Sequence, residues 1–375
     1  MHLQIKPGLR TAWRAPDAVQ FGLEPGRGAV VEGLTALDRG LLERLEEGMD
    51  DATLPTDGPA GERARRLLAL LRAGDVLLAR RSGRGVLALV GPDAARLAPD
   101  AAVWGIVHRG DGDGWELIAD RGRREVHVVG TGRLAANLAE ILTAAGVGTV
   151  HRLTAPTPSW PLAPAGPTDR ARAGGHPDLV VLVRAAAADS VAAGRLLAAD
   201  VPHLSVVVRE AGLIVGPLVL PGAGPCLRCL DLHRTDRDPA WPRLLAQLPG
   251  RSTPADAGET ASSQLGASLA ALQVLAHLDG LATAPARAKA AAASARPASV
   301  GATLEVDLPD GLVSRRPWPV HPACGCNWPV TTAPRSADPG APGAVGSRGD
   351  ARDVPDAPEG PVRATRGGPG RKQGE

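Results

Sequence analysis

Tyrosine is absent from this chain of 375 residues and phenylalanine occurs once, so a core must be built from aliphatic side chains and the seven tryptophans. Ala, Leu, Val, Arg, Gly and Pro dominate instead, the bias of a high-GC genome rather than of a special fold. No apolar run is long enough to span a bilayer, and the first residues, MHLQIKPGLR, lack the apolar centre of a secretory signal. A net charge of only +2 gives no electrostatic ground for a nucleic-acid or membrane-surface binder. The tryptophans are scattered, without the basic interleaving of a base-stacking surface. Lysine is missing between Lys6 and Lys289. The expectation is a soluble cytoplasmic protein, and its 44% hydrophobic content suffices for a sizeable core.

Cysteine is also scarce, and its placement is informative. The only four form two close pairs, Cys226-Leu-Arg-Cys229 and Cys324-Gly-Cys326. Two readings fit: two buried or redox-active pairs, or two knuckles that each give two thiolates to one tetrahedral zinc. The spacing in an otherwise cysteine-free chain favours zinc. Four thiolates leave no open position, so the expected role is structural.

The first 90 residues read as a small α+β module. Extended runs at 9–14, 18–23 and 29–33 are separated by turn signals. Thr35 and Asp38 then make a capping-box pattern before a helix with Leu37, Leu41, Leu42 and Leu45 on one face. A second helix over about 62–73 carries Leu67, Leu68, Leu70 and Leu71 and stops at Gly74. This content fits a winged-helix-like module. A winged helix can bind DNA, but Glu43, Glu46 and Glu47 make the first helix acidic, and Arg63, Arg65 and Arg66 are only a small patch. Residues 91–123 form a connector with a helix near 93–97.

At Arg124 a doubly wound pattern begins: strand 125–129, glycine turn 130–135, helix 136–145, strand 147–153. A proline-rich loop over 154–175 precedes strand 178–183, helix 190–199 and strand 203–208. Residues 212–220 read as a strand pair, 261–278 as a long helix, and 303–308 with 311–316 as a hairpin. Residues 331–375 lack apolar periodicity and are expected to be a disordered tail.

The turn Gly130-Thr-Gly132-Arg-Leu-Ala135 has the layout of a phosphate-binding turn after a strand and before a helix. Gly130 would make the tight turn, Gly132 would admit a phosphate, and Ala135 would let helix and strand pack closely. The ribose anchor is absent: the next strand ends in Arg152-Leu-Thr-Ala155, with no carboxylate until Asp169. The glycines are therefore either a degenerate nucleotide site or a tight turn in a sheet that binds none.

Taken in order, the glycine turn, Pro177-Asp-Leu-Val-Val181, Gly216-Pro217 and the two cysteine knuckles resemble the ThiF-like adenylyltransferases, relatives of the ubiquitin-activating enzymes. The resemblance covers 124–327. It implies a Rossmann-like domain over 124–330 that binds ATP and adenylates a peptide or ubiquitin-like C-terminus. It also implies structural zinc on Cys226, Cys229, Cys324 and Cys326, with the phosphate turn at Gly130, Gly132 and Ala135. The family's charges are missing. It has an acidic residue, Asn and Arg after the second strand, a Lys further on, and a magnesium-holding Asp after the next strand. Here Leu153-Thr-Ala-Pro156 and Val183-Arg-Ala-Ala186 stand at the strand ends. A cation where a metal-holding carboxylate belongs opposes magnesium.

The layout is similar to the leader-peptide-binding components of azoline-forming cyclodehydratases. Those pair a winged-helix-like peptide-recognition module with a zinc-bearing ThiF-like domain lacking competent ATP chemistry. The implied partners are a precursor peptide and an ATP-using modifying enzyme, in a homo-oligomer or hetero-complex. Strand addition at 29–33, with a groove from the two helices, is the implied recognition mode. No catalytic residue is expected; the alternative is an active ATP-dependent adenylyltransferase. Asp231, His233 and Asp236, within the polar stretch 230–238, are read as shaping a charged loop or helix start rather than as acid–base groups. His321 is not expected to replace a cysteine on the metal.

Overall fold

The computed structural model describes residues 1–24, 26–80, 91–108, 114–155, 176–248, 253–282, 296–308 and 310–326. The tail expected at 331–375 and the proline-rich loop from 156 to 175 lie outside the described residues.

The first elements are β1 (His2–Ile5), β2 (Thr11–Ala15), β3 (Ala18–Phe21), β4 (Ala29–Val31), α1 (Ala36–Glu47), β5 (Met49–Asp50), α2 (Gly58–Ala73) and β6 (Leu77–Arg80). They build two three-stranded antiparallel sheets, β5-β1-β6 and β2-β3-β4. The expected capping box forms: the Asp38 amide faces the Thr35 hydroxyl, and the Thr35 amide donates to Asp38 Oδ2 at 2.7 Å. Leu41, Leu42, Leu45, Leu67, Leu68 and Leu71 pack with Val19, Phe21 and Leu3 in one core. Leu37 and Leu70, expected on the apolar faces, are instead exposed. Arg63 joins the pieces, with Nε 2.8 Å from Asp38 Oδ2 and Nη2 donating to the Gly33 carbonyl at 2.8 Å. Strand β1 carries no expectation from the sequence, because both of its partners lie far along the chain.

The connector holds two helices rather than one short one, α3 (Ala94–Val107) and α4 (Gly114–Arg121). There follow β7 (Glu125–Val129), α5 (Gly132–Ala144), β8 (Thr149–Leu153), β9 (Leu179–Ala185), α6 (Ser190–Ala198), β10 (His203–Arg209) and β11 (Gly212–Val219). Last come α7 (Leu227–Arg237), α8 (Trp241–Leu245), α9 (Thr260–Ala282), β12 (Ala302–Asp307) and β13 (Val313–Pro317). One seven-stranded mixed sheet runs β13-β12-β11-β10-β9-β7-β8. Strands β8, β7, β9 and β10 are parallel and the rest pair antiparallel. Residues 212–219 are thus one strand, not the expected pair. Gly216 lets it lie flush against β12, since a Cβ there would sit 2.6 Å from the Ala302 carbonyl.

Parallel strands need cover on both faces. Leu134, Leu138 and Leu142 of α5 and Ala267, Ala271, Val274 and Leu278 of α9 cover Val126, Val128 and Val181. Ala192 and Leu196 of α6 pack on the opposite face, against Val129, Val180 and Leu182. Helices α4 and α9 are locked by a fully buried fork, with Arg121 Nε and Nη2 at 2.7 and 2.6 Å from the two oxygens of Asp279. His108 lies 3.4 Å from the same carboxylate. Arg121 pulls the Asp279 carboxyl below its usual range although burial opposes this.

Removing one member of a buried pair leaves the other charge uncompensated. Asp279→Ala is therefore expected to cost roughly 3–5 kcal/mol, read from urea unfolding followed by circular dichroism. A cost below about 1 kcal/mol would mean that the pair does not hold α4 to the sheet layer.

Burial also depresses His203 and His277, each to about 4. The unfolded chain takes up these protons first, because an unperturbed imidazole titrates near pH 6.5. The stabilisation is thus complete above about pH 6.5 and is lost as the pH falls towards 4. Stability is expected to fall by roughly 2–3 kcal/mol per histidine across that window, and His203→Gln to flatten the profile.

Candidate metal centre and nucleotide crevice

The two cysteine knuckles form by different local devices. Cys226 caps α7 in an extended conformation, so the helix itself carries Cys229 one turn on, where its amide bonds the Cys226 carbonyl at 3.0 Å. In the second knuckle the Cys324 amide bonds the His321 carbonyl at 3.0 Å, and Gly325 takes φ 74. That left-handed backbone favours glycine and turns the chain between two cysteines that must face the same point.

The fold brings all four sulfurs within 4.8 Å of one another. Cys226 and Cys229 Sγ are 3.9 Å apart, Cys226 and Cys324 3.5 Å, and Cys229 and Cys326 3.4 Å. A zinc ion with four bonds of about 2.3 Å at tetrahedral angles separates its sulfurs by about 3.8 Å, so the set fits such an ion with small adjustments. The thiols are free, not disulfide-bonded. Burial pushes Cys324 up, and Cys326 up to about 11. Burial opposes ionisation of Cys229 too, but backbone hydrogen bonds at His321 and Cys226 outweigh it and hold that thiol below its ordinary value. Val219, Leu230 and Trp318 pack around the cluster.

The polar stretch beside the first knuckle is a helix, α7. Asp231 accepts from the Ser190 hydroxyl at 2.5 Å, Arg234 at 3.3 Å and Trp241 Nε1 at 3.2 Å, so it ties α7 to α6 and α8. His233 Nε2 lies 3.1 Å from the Pro319 carbonyl. His321 accepts from the Ala323 amide at Nδ1 (3.1 Å) and meets Asp236 with Nε2 (2.9 Å). Both of its nitrogens thus have partners other than the sulfurs, and these groups shape the second knuckle.

The glycine turn lies at the carboxyl end of β7. Gly130 has φ 155, and a Cβ there would sit 2.4 Å from the Val183 carbonyl. Gly132, with φ 86, already begins α5, so Arg133, Leu134 and Ala135 belong to the helix rather than to the expected turn. Ala135 is fully buried against the sheet. The approach to Gly132 is occupied. The short turn Pro254–Ala257 crosses it, and a Cβ on Gly132 would lie 3.3 Å from the Ala257 carbonyl. Arg133 holds this arrangement, with Nη1 2.9 Å from Thr260 Oγ1 and 3.3 Å from the Gly258 carbonyl.

At the end of β9 the guanidinium of Arg184 fills the next position. Its Nη1 donates to the carbonyls of Val129 (3.1 Å) and Val183 (3.0 Å), and Nε and Nη2 reach Asp189 at 3.0 and 2.9 Å. Asp189 also caps α6 through the Ala192 amide at 2.8 Å. The Arg184 charge is evident from the sequence, but its pairing with Asp189 is not. The visible signal was an aspartate directly before a helix.

Neither a protein-family model nor a curated protein matches this sequence. Solved structures share its fold. A heterocyclase in complex with substrate and cofactor is 18% identical, with a TM-score of 0.55 over 84% of this chain and 38% of that one. The heterocyclase TruD is 19% identical, with a TM-score of 0.57 over 86% of this chain and 42% of that one. E. coli MccB, solved with AMPCPP and MccA, is 14% identical, with a TM-score of 0.55 over 87% of this chain and 99% of that one. The chain spans about two fifths of the length of the two heterocyclases. Among its described residues no helix is long and apolar enough to cross a membrane.

With cobalt in place of zinc, the wild-type chain is expected to show thiolate-to-metal charge-transfer absorption. Cys324→Ser should weaken that band strongly and unfold the surrounding domain, as seen in near-ultraviolet circular dichroism. A wild-type chain that is folded without any metal on these sulfurs would refute a structural metal.

Proposed function

We propose that this chain is a ThiF-like protein that binds a precursor (leader) peptide and presents it to a separate modifying enzyme such as a cyclodehydratase. On this reading residues 1–90 are a winged-helix-like recognition module and 124–330 a degenerate Rossmann-like domain with structural zinc on Cys226, Cys229, Cys324 and Cys326. The proposed setting is the cytoplasm.

The reading that ATP chemistry is lost rests on the chain's own groups, which stand at the carboxyl ends of β7 and β9 where phosphates would lie. The Ala257 carbonyl sits over Gly132, where a phosphate oxygen would meet a like partial charge. Asp189, the acidic group after β9, is spent on Arg184 and on the cap of α6. Phosphoryl and adenylyl chemistry depends on cations set around the phosphates, and a carboxylate neutralised by arginine holds no magnesium.

The peptide-binding half draws on the first module. Strand β4 is an outer strand of its sheet, and Val30 on it is exposed. Leu37 and Leu70, which leave the core face of α1 and α2, offer apolar surface on the same module. An extended peptide adding to such an edge gains backbone hydrogen bonds, with side chains read by apolar recesses. The likeness to a heterocyclase solved with its substrate and to MccB solved with MccA supports this class of partner.

The competing reading is an active ATP-dependent adenylyltransferase, favoured by MccB having been solved with AMPCPP. Calorimetry of the full chain with magnesium and ATP separates the two. No heat is expected up to millimolar ATP, whereas tight, magnesium-dependent binding would overturn the carrier reading. For the peptide half, the probe is a fluorescently labelled synthetic peptide with apolar side chains at alternate positions. Val30→Asp should weaken its binding at least tenfold while leaving the melting temperature unchanged. Equal affinity in both chains would remove β4 from the binding edge.

A further inference from the structure

Strand β7 lies inside a parallel stretch of the sheet, and all five of its residues are buried. Such strands are expected to be apolar on both faces. One face of β7 is: Val126 and Val128 enter the main core. The other face carries Glu125 and His127, two residues apart and so on the same side of the strand. The parallel register sets His151 of β8 directly beside His127. Two imidazoles and a carboxylate thus converge where the adjoining strand β9 offers Val180 at the same level.

The convergence is close. His127 Nε2 is 2.8 Å from Glu125 Oε1, and His151 Nε2 is 3.7 Å from the same oxygen. The two rings meet edge to face with centroids 5.1 Å apart, and the three ligand atoms lie within 4.8 Å of one another. Around a divalent ion with bonds of about 2.0–2.2 Å, neighbouring ligand atoms sit about 2.9–3.5 Å apart. The 2.8 and 3.7 Å contacts to Glu125 Oε1 bracket that range, so the carboxylate oxygen and both imidazoles lie near coordinating distance of a common point. The backbone is held independently, because the Glu125 amide donates to Asp178 Oδ2 at 2.7 Å and Arg124 braces the same carboxylate at 3.2 Å. None of these residues belongs to the cysteine cluster.

We propose that Glu125, His127 and His151 form a second divalent-metal site. Two imidazole nitrogens and one carboxylate oxygen select zinc or another first-row transition metal over magnesium or calcium, which prefer all-oxygen shells. Three protein ligands leave at least one position open, unlike the closed four-thiolate set. Burial of Glu125 and His127 dehydrates the ligands, while His151, with a third of its side chain exposed, gives the ion and a coordinated water their way in.

The test uses the full-length chain and zinc alone. Wild type and His151→Gln are equilibrated with zinc chloride, dialysed, and analysed for metal per chain by mass spectrometry. Wild type is expected to hold one more zinc than His151→Gln, whatever the occupancy of the cysteine cluster. His151 is partly exposed, so the variant should fold, and an unchanged cobalt–thiolate band in His151→Gln verifies that the cysteine cluster is intact. Glu125→Gln, which keeps the shape and removes the charge, should lose the same ion. Equal zinc content in wild type and both variants would overturn the site and leave the cluster as a histidine–carboxylate ion pair.

Discussion

Four sulfur atoms within 4.8 Å of one another join segments almost a hundred residues apart. Between the knuckles run α8, α9 and the β12–β13 hairpin. The hairpin extends the sheet beyond β11, and α9 covers the face that α5 alone would leave half open. A cation among the thiolates would relieve the cost of burying them, and its binding energy would become folding energy for the segments inside the loop. The frame kept by the cysteines is thus the frame that positions both the filled crevice and the outer face of the sheet.

The crevice follows from that frame. In an open parallel sheet a ligand lies beyond the carboxyl ends of the strands, where helix N-termini supply free amides. Here the same place is taken by a turn that leads into α9 and by a guanidinium at the end of β9. The glycines keep a second role, since Gly130 allows β9 to pass at contact distance. A glycine turn can therefore serve packing by itself, and the charges around it are the better guide to chemistry.

Features that depend on near neighbours were legible in the sequence. The Thr35–Asp38 cap, the stop at Gly74 and the strand–helix–strand unit from Glu125 rest on contacts a few residues apart. Others were not. Strand β1 exists only because β5 and β6 arrive from almost fifty and more than seventy residues away, and the strand pair expected over 212–220 is one strand that pairs along β12. Leu37 and Leu70 follow helical spacing yet are exposed, and the Arg63–Asp38 contact between α1 and α2 is a charge pair that spacing does not encode.

By itself the sequence determined the mixed α/β class and the two knuckles, since each is written in local pattern and residue type. Only the tertiary structure decided that the four sulfurs meet, that Ala257 and Arg184 fill the crevice, and that Glu125, His127 and His151 share one face. The reason is physical. Parallel strands place residues far apart in sequence side by side, and a register fixed by packing across the whole sheet sets which side chains become neighbours.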